Sequence, residues 1–180
     1  QPYRRIEAWK DNDVQDIKYQ PLTYDAIVIN YETSLLRVSG CSPHEVEQYR
    51  KSFGKHACGD AETFSDRNIF SLEPLRKVGK DALACADFVE LKQVDLTEIQ
   101  MVWGGNERKT EVWRAQRLFR AFAEHERKIP QGPELQRAKL KLAFHGSNSS
   151  RNAVVEAPNR LEVNRQADAS IIEDWLVKRG

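Results

Sequence analysis

Between Leu135 and Phe144 the chain takes apolar and polar residues in turn. Ala138, Leu140, Leu142 and Phe144 fall on one side, and Arg137, Lys139 and Lys141 on the other. A period of two is the signature of a strand, whose successive side chains point to opposite faces. Such a strand belongs in a sheet with one face in a core and the other in water, which favours antiparallel pairing. Here the watery face is cationic.

Other segments support a sheet with accompanying helices. Tyr3 to Trp9 reads as an opening strand, followed by the polar turn KDNDVQD. Ala26 to Tyr31 is almost continuously apolar, as in a central strand covered on both faces. Glu32-Thr33-Ser34 turns the chain, and Leu35 to Ser39 returns as a hairpin. Ser42, Pro43 and Glu45 spell an N-cap, a first-position proline and a capping box, with Val46, Tyr49 and Phe53 on one helical face and Gly54 as the stop. A strand is expected around Ile69 to Leu72, where Glu73-Pro74 argues against a helix. Phe88 to Trp103 reads as a long strand, or as two strands separated by a bulge. Gly104-Gly105 then leads into a helix over about Thr110 to Arg127, with Val112, Ala115, Phe119 and Phe122 inward. Ala153 to Val163 is a return strand broken at Pro158-Asn159. Ser170 and Glu173 cap a last helix packed through Ile171, Ile172, Trp175 and Leu176.

The expected fold is therefore α+β: a single domain over residues 1–180, with a mixed, mostly antiparallel sheet of about six strands and about three helices. With 40% hydrophobic and 31% charged residues, the composition is that of a folded domain rather than a disordered tail. No apolar run approaches the roughly 18 residues of a membrane helix. Three cysteines, Cys41, Cys58 and Cys85, are too few and odd for a disulfide framework and point to the cytoplasm. The chain opens Gln-Pro-Tyr, without Met or a signal-like stretch, as expected of a piece of a longer protein.

The net charge of +1 conceals a segregation. From Arg108 to Arg151 there are eleven Lys or Arg and four acids, so this segment carries +7 and the remainder −6. Arg108, Lys109, Arg114, Arg117, Arg120, Arg137, Lys139, Lys141 and Arg151 are the candidate polyanion-binding residues. Such a surface would bind phosphate backbones by releasing counterions. The bland alternative is solvated charge, with Arg120 to Glu124 an i,i+4 pair and lysines guarding a sheet against aggregation.

Glu90-Leu91-Lys92 raises a catalytic alternative. In a strand, Glu90 and Lys92 share a face, as the acid and lysine of a PD-(D/E)xK nuclease must when they hold a metal and steady a phosphate. A half-exposed strand shows the same alternation. The earlier acid such a site needs would be Asp81 or Asp25, since Asp87 faces the wrong way. Acid-x-Lys also occurs at Asp16, Glu107 and Glu126, so the motif discriminates poorly.

Three further patterns fall short. The acids from Asp11 to Asp16 lack the glycine and final glutamate of a calcium loop. Cys41, His44, His56 and Cys58 have zinc chemistry, but a helix between them would separate the ends by roughly 15 Å. The stretch ending at Gly79-Lys80-Asp81 lacks the hydroxyl and first glycine of a phosphate loop. Gly104-Gly105 before a helix start would suit an anion, but a plain strand-to-helix turn with Thr110 as N-cap explains it better. No cofactor and no metal is expected. The function expected is a non-catalytic module of a larger cytosolic protein, contacting nucleic acid or another polyanion. The alternatives are the nuclease and a protein-interaction or oligomerisation domain.

Overall fold

The computed structural model describes residues 4–10, 13–19, 25–30, 35–39, 42–64 and 68–179. The fold is α+β with antiparallel strands, as the sequence predicts. The chain divides into two compact units, residues 1–66 and residues 67–180.

In the first unit, β1 (Arg4–Lys10) pairs with β2 (Asp13–Tyr19), and β3 (Ala26–Asn30) with β4 (Leu35–Ser39). The expected polar turn is thus mostly strand β2. The predicted turn at Glu32 to Ser34 lies outside the described residues. Strand β3 hydrogen-bonds only to β4 among the described residues, and Val28 is 51% exposed, so its apolar run is not a central strand covered on both sides.

Helix α1 (Pro43–Phe53) begins as its sequence dictates. The Ser42 hydroxyl accepts from the Glu45 amide at 3.4 Å, and the Glu45 carboxylate accepts from the Ser42 amide at 2.7 Å. Two orphan amides are thereby satisfied. Gly54 does not stop it: the backbone there stays helical and continues through a π-turn, Gly54–Cys58, to Gly59 at φ 81°. Gly54 is needed for space instead, since a Cβ would meet the Asp60 carbonyl oxygen at 2.7 Å.

The second unit holds α2 (Glu73–Lys77), a 3₁₀ turn at Gly79–Leu83, β5 (Leu91–Val102), β6 (Thr110–Arg114) and α3 (Leu118–Glu124). These are followed by β7 (Glu134–Phe144), β8 (Arg151–Glu156), β9 (Arg160–Val163) and α4 (Ala169–Arg179). The sheet runs β6-β5-β7-β8-β9, antiparallel throughout. Strands number nine and α-helices four among the described residues, above the expected six and three.

Three local expectations are corrected. Ile69 to Leu72 is not a strand, and Pro74 helps open α2, where a missing N–H does no harm. Ser170 lies inside α4, not at its cap. The helix expected over Thr110 to Arg127 is instead strand β6 and the seven-residue α3. Thr110, Val112 and Trp113 are strand-favouring residues, and pairing with β5 outweighs their helical spacing.

The core lies on one side of this sheet. Val94, Leu96, Ile99 and Met101 of β5 meet Leu135, Ala138, Leu140 and Leu142 of β7 and Ala153 and Val155 of β8. Ile172 and Trp175 of α4 complete it, and the Trp175 indole donates to the Ala84 carbonyl at 2.9 Å. Fully burying each such aliphatic side chain contributes about 1.5–3 kcal/mol. Phe122 of α3 meets Trp113 edge to face at 5.4 Å. Burying Leu118 and Phe122 leaves the other side of α3 free to face outward.

Candidate nucleic-acid interface

The opposite sheet face is polar. A groove of about 1050 Å³ lies on it, with Gln93, Asp95 and Thr97 of β5, Lys139, Lys141 and Ala143 of β7 and Asn152 of β8 among its lining. Arg114, Arg117, Arg120 and Glu124 also line it. Five of the nine predicted cations therefore converge. They come from β6, the α3 turn and β7, and among the described residues the only carboxylates that line the groove with them are those of Asp95 and Glu124.

Their pairing differs. Arg114 Nε lies 2.6 Å from Glu98, Arg117 Nε 3.4 Å from Asp95, and Arg120 Nε 3.2 Å from Glu124. Gln93 also donates to Asp95, at 2.6 Å. Among the described residues Lys139 and Lys141 have no carboxylate in ion-pair range. Alternate residues on one strand face lie about 6.6–6.8 Å apart, from a rise of 3.3–3.4 Å per residue. That is close to the spacing of neighbouring phosphates along one nucleic-acid strand.

The remaining candidates serve other ends. Arg137 is held between Glu98 and Glu156, at 3.3 Å from each. Arg160 then bridges Glu156 at 3.1 Å and Glu162 at 2.5 Å. Arg114, Glu98, Arg137, Glu156, Arg160 and Glu162 thus form an alternating ladder across all five strands. Glu98 is only 8% exposed and satisfies two arginines at once. Arg151 is consumed by Asp168 at 3.0 Å and by Ser147 and Ser149, tying β8 to the turn before α4. Lys109 pairs with Glu111 on the hairpin and holds the Glu111 carboxyl below its ordinary range. Arg108 sits in the same exposed hairpin turn at φ 38°.

Gly104 and Gly105 join two strands, so no helix start is there to receive an anion. The turn closes when the Trp103 amide donates to the Lys109 carbonyl at 2.8 Å. Glu90 precedes β5 in a turn, where its carbonyl accepts from the His145 amide at 2.9 Å, while Lys92 is exposed on β5. The two are not a pair on one strand. Asp81 is exposed in the 3₁₀ turn, and Asp25 accepts from the Tyr49 hydroxyl at 2.9 Å. Asp87 is engaged by Lys178 and Arg179 of α4, and the hydrogen bond from Lys178 lowers its pKa. Cys41 lies outside the described residues. No group of three His, Cys, Asp or Glu is placed to hold a metal ion among the described residues. None of their helices is long and apolar enough to cross a membrane.

Sequence reasoning anticipated Glu124 as the partner of Arg120 but missed Asp95 and Glu98 among the acids that divide this face. Glu124 was legible as an i,i+4 partner, but Asp95 and Glu98 required the register of β5 with its neighbours. No protein-family model, curated protein or solved structure matches the chain.

Proposed function

We propose that this chain is a non-catalytic binding module that holds a nucleic-acid backbone in the groove of the five-stranded sheet. The carrying observation is that Lys139 and Lys141, on the groove floor beside three arginines, have no carboxylate in ion-pair range among the described residues. Polar neighbours Gln93, Thr97 and Asn152 add hydrogen-bonding groups suited to sugar and phosphate oxygens. A cytosolic setting within a larger protein belongs to the same reading, supported by sparse cysteines of which Cys58 and Cys85 are free.

Binding of a labelled oligonucleotide, followed by anisotropy, tests the reading. Between about 50 and about 200 mM salt, two to five phosphate contacts weaken binding roughly 10- to 100-fold. No binding at the lower salt, or binding indifferent to salt, overturns it. Equal competition by heparin at matched charge would widen the ligand from nucleic acid to polyanions generally. A stable dimer that ignores nucleic acid would instead favour an oligomerisation domain.

A further inference from the structure

Three arginines of the groove each carry a carboxylate, but the three carboxylates are not alike. Glu98 is buried and shared between Arg114 and Arg137, so it is fixed. The Arg120–Glu124 pair is open to water, with side chains 73% and 59% exposed. The Arg117–Asp95 pair is intermediate, with 53% and 23% exposed, and its separation of 3.4 Å is long. Exposed pairs of this kind contribute little and separate readily.

We propose that Asp95 and Glu124 are resident competitors for the ligand's phosphates. Provided that the groove binds nucleic acid as proposed above, this divides it into an open floor and a closed wall. Lys139 and Lys141 receive the first phosphates without displacing anything. Arg117 and Arg120 become available only when phosphates replace Asp95 and Glu124. An isolated phosphate reaches the floor alone. A continuous run of phosphodiesters reaches both, because each phosphate already anchored raises the effective concentration of the next. The ligand class is therefore an extended phosphodiester chain, not a free phosphate or mononucleotide.

The test measures affinities of the whole chain for inorganic phosphate and for thymidine oligonucleotides of about two to about twelve nucleotides. Asp95→Asn, Glu124→Gln and their combination are compared with Asp174→Asn, an exposed residue of α4 on the other side of the sheet. Asparagine at position 95 can still accept from Gln93, and Glu124 is exposed, so both replacements suit the fold. The expected result is a gain of about two- to five-fold for each groove variant on the longer oligonucleotides. Asp174→Asn should give a smaller gain, reflecting net charge alone, and inorganic phosphate should bind all forms weakly and alike.

Equal gains for groove and control variants overturn the competition while salt-dependent binding by the unaltered chain leaves the nucleic-acid function standing. Binding by the groove variants but not by the unaltered chain overturns the nucleic-acid function and the competition that rests on it. Absence of binding by every form overturns both.

Discussion

Two regions of one sheet face hold the same kinds of side chain and do different things with them. Along the ladder, each arginine has an acid on the neighbouring strand or beyond the next turn, and the charges cancel. In the groove, Lys139 and Lys141 occupy strand positions next to Arg137, yet no acid reaches them among the described residues. Their cross-strand neighbours on β8 are Val154 and Asn152, whereas Arg137 faces Glu156. On the β8 side, register gives Arg137 an acid and leaves Lys139 and Lys141 without one. On β5, Asp95 stands opposite Lys141 and Glu98 opposite Lys139, but Asp95 is engaged by Gln93 and Arg117, and Glu98 by Arg114 and Arg137.

The comparison can be broken most severely at Glu98. Glu98→Ala removes two charge-assisted hydrogen bonds from the centre of the ladder and should destabilise the fold by about 2 kcal/mol in chemical denaturation. The larger losses known for buried ion pairs do not apply, because Arg114 stays 71% exposed and Arg137 keeps Glu156. Arg114 would then be freed into the groove, so the less stable variant should bind an oligonucleotide more tightly. Unchanged stability would show that the ladder is ornament.

Lys139→Ala combined with Lys141→Ala inverts this pattern. Affinity should fall about ten-fold, and the salt dependence on a single strand should flatten by about 1.4 in log–log slope. Stability should remain within about 0.5 kcal/mol. An intact salt slope would place the bound phosphates elsewhere.

Smaller effects sharpen the contrast. Arg160→Ala trims the exposed end of the ladder, where its side chain is 65% exposed. It should change stability by less than about 1 kcal/mol and leave oligonucleotide affinity nearly unaltered. In the first unit, hydrogen bonds from Arg50 and then Lys51 bring Glu47 from its ordinary 4.5 to about 2. A depressed acid contributes stability above its unfolded pKa and loses it as pH falls through the folded value. The contribution of Glu47 should therefore fade from about pH 4.5 downward to about pH 2, with its side-chain carboxyl carbon titrating near the lower end in NMR. A midpoint near 4.5 would contradict the pairing.

The legible parts of the fold were those fixed by local rules. β7 followed from alternation, the start of α1 from Ser42-Pro43-Glu45, and the break between β8 and β9 from Pro158-Asn159. The segment from Thr110 was misread because Val112, Ala115, Phe119 and Phe122 also suit one side of a helix. Only its pairing with β5 settles the matter, and that pairing spans the Gly104-Gly105 turn. The basic character of the site was visible as an excess of charge along the chain. Its division was not, since Glu98 meets Arg137 across 39 positions and Arg151 meets Asp168 across 17. Counting charge by position cannot tell a cation facing Glu156 from one facing Val154.

Backbone amide shifts on titration with a short oligonucleotide test the central claim most directly. The division of the sheet face predicts the largest changes around Lys139, Lys141, Ala121 and Asn152, with Glu156, Arg160 and Glu162 little moved. Changes centred on those ladder residues, or none at low salt, would contradict it.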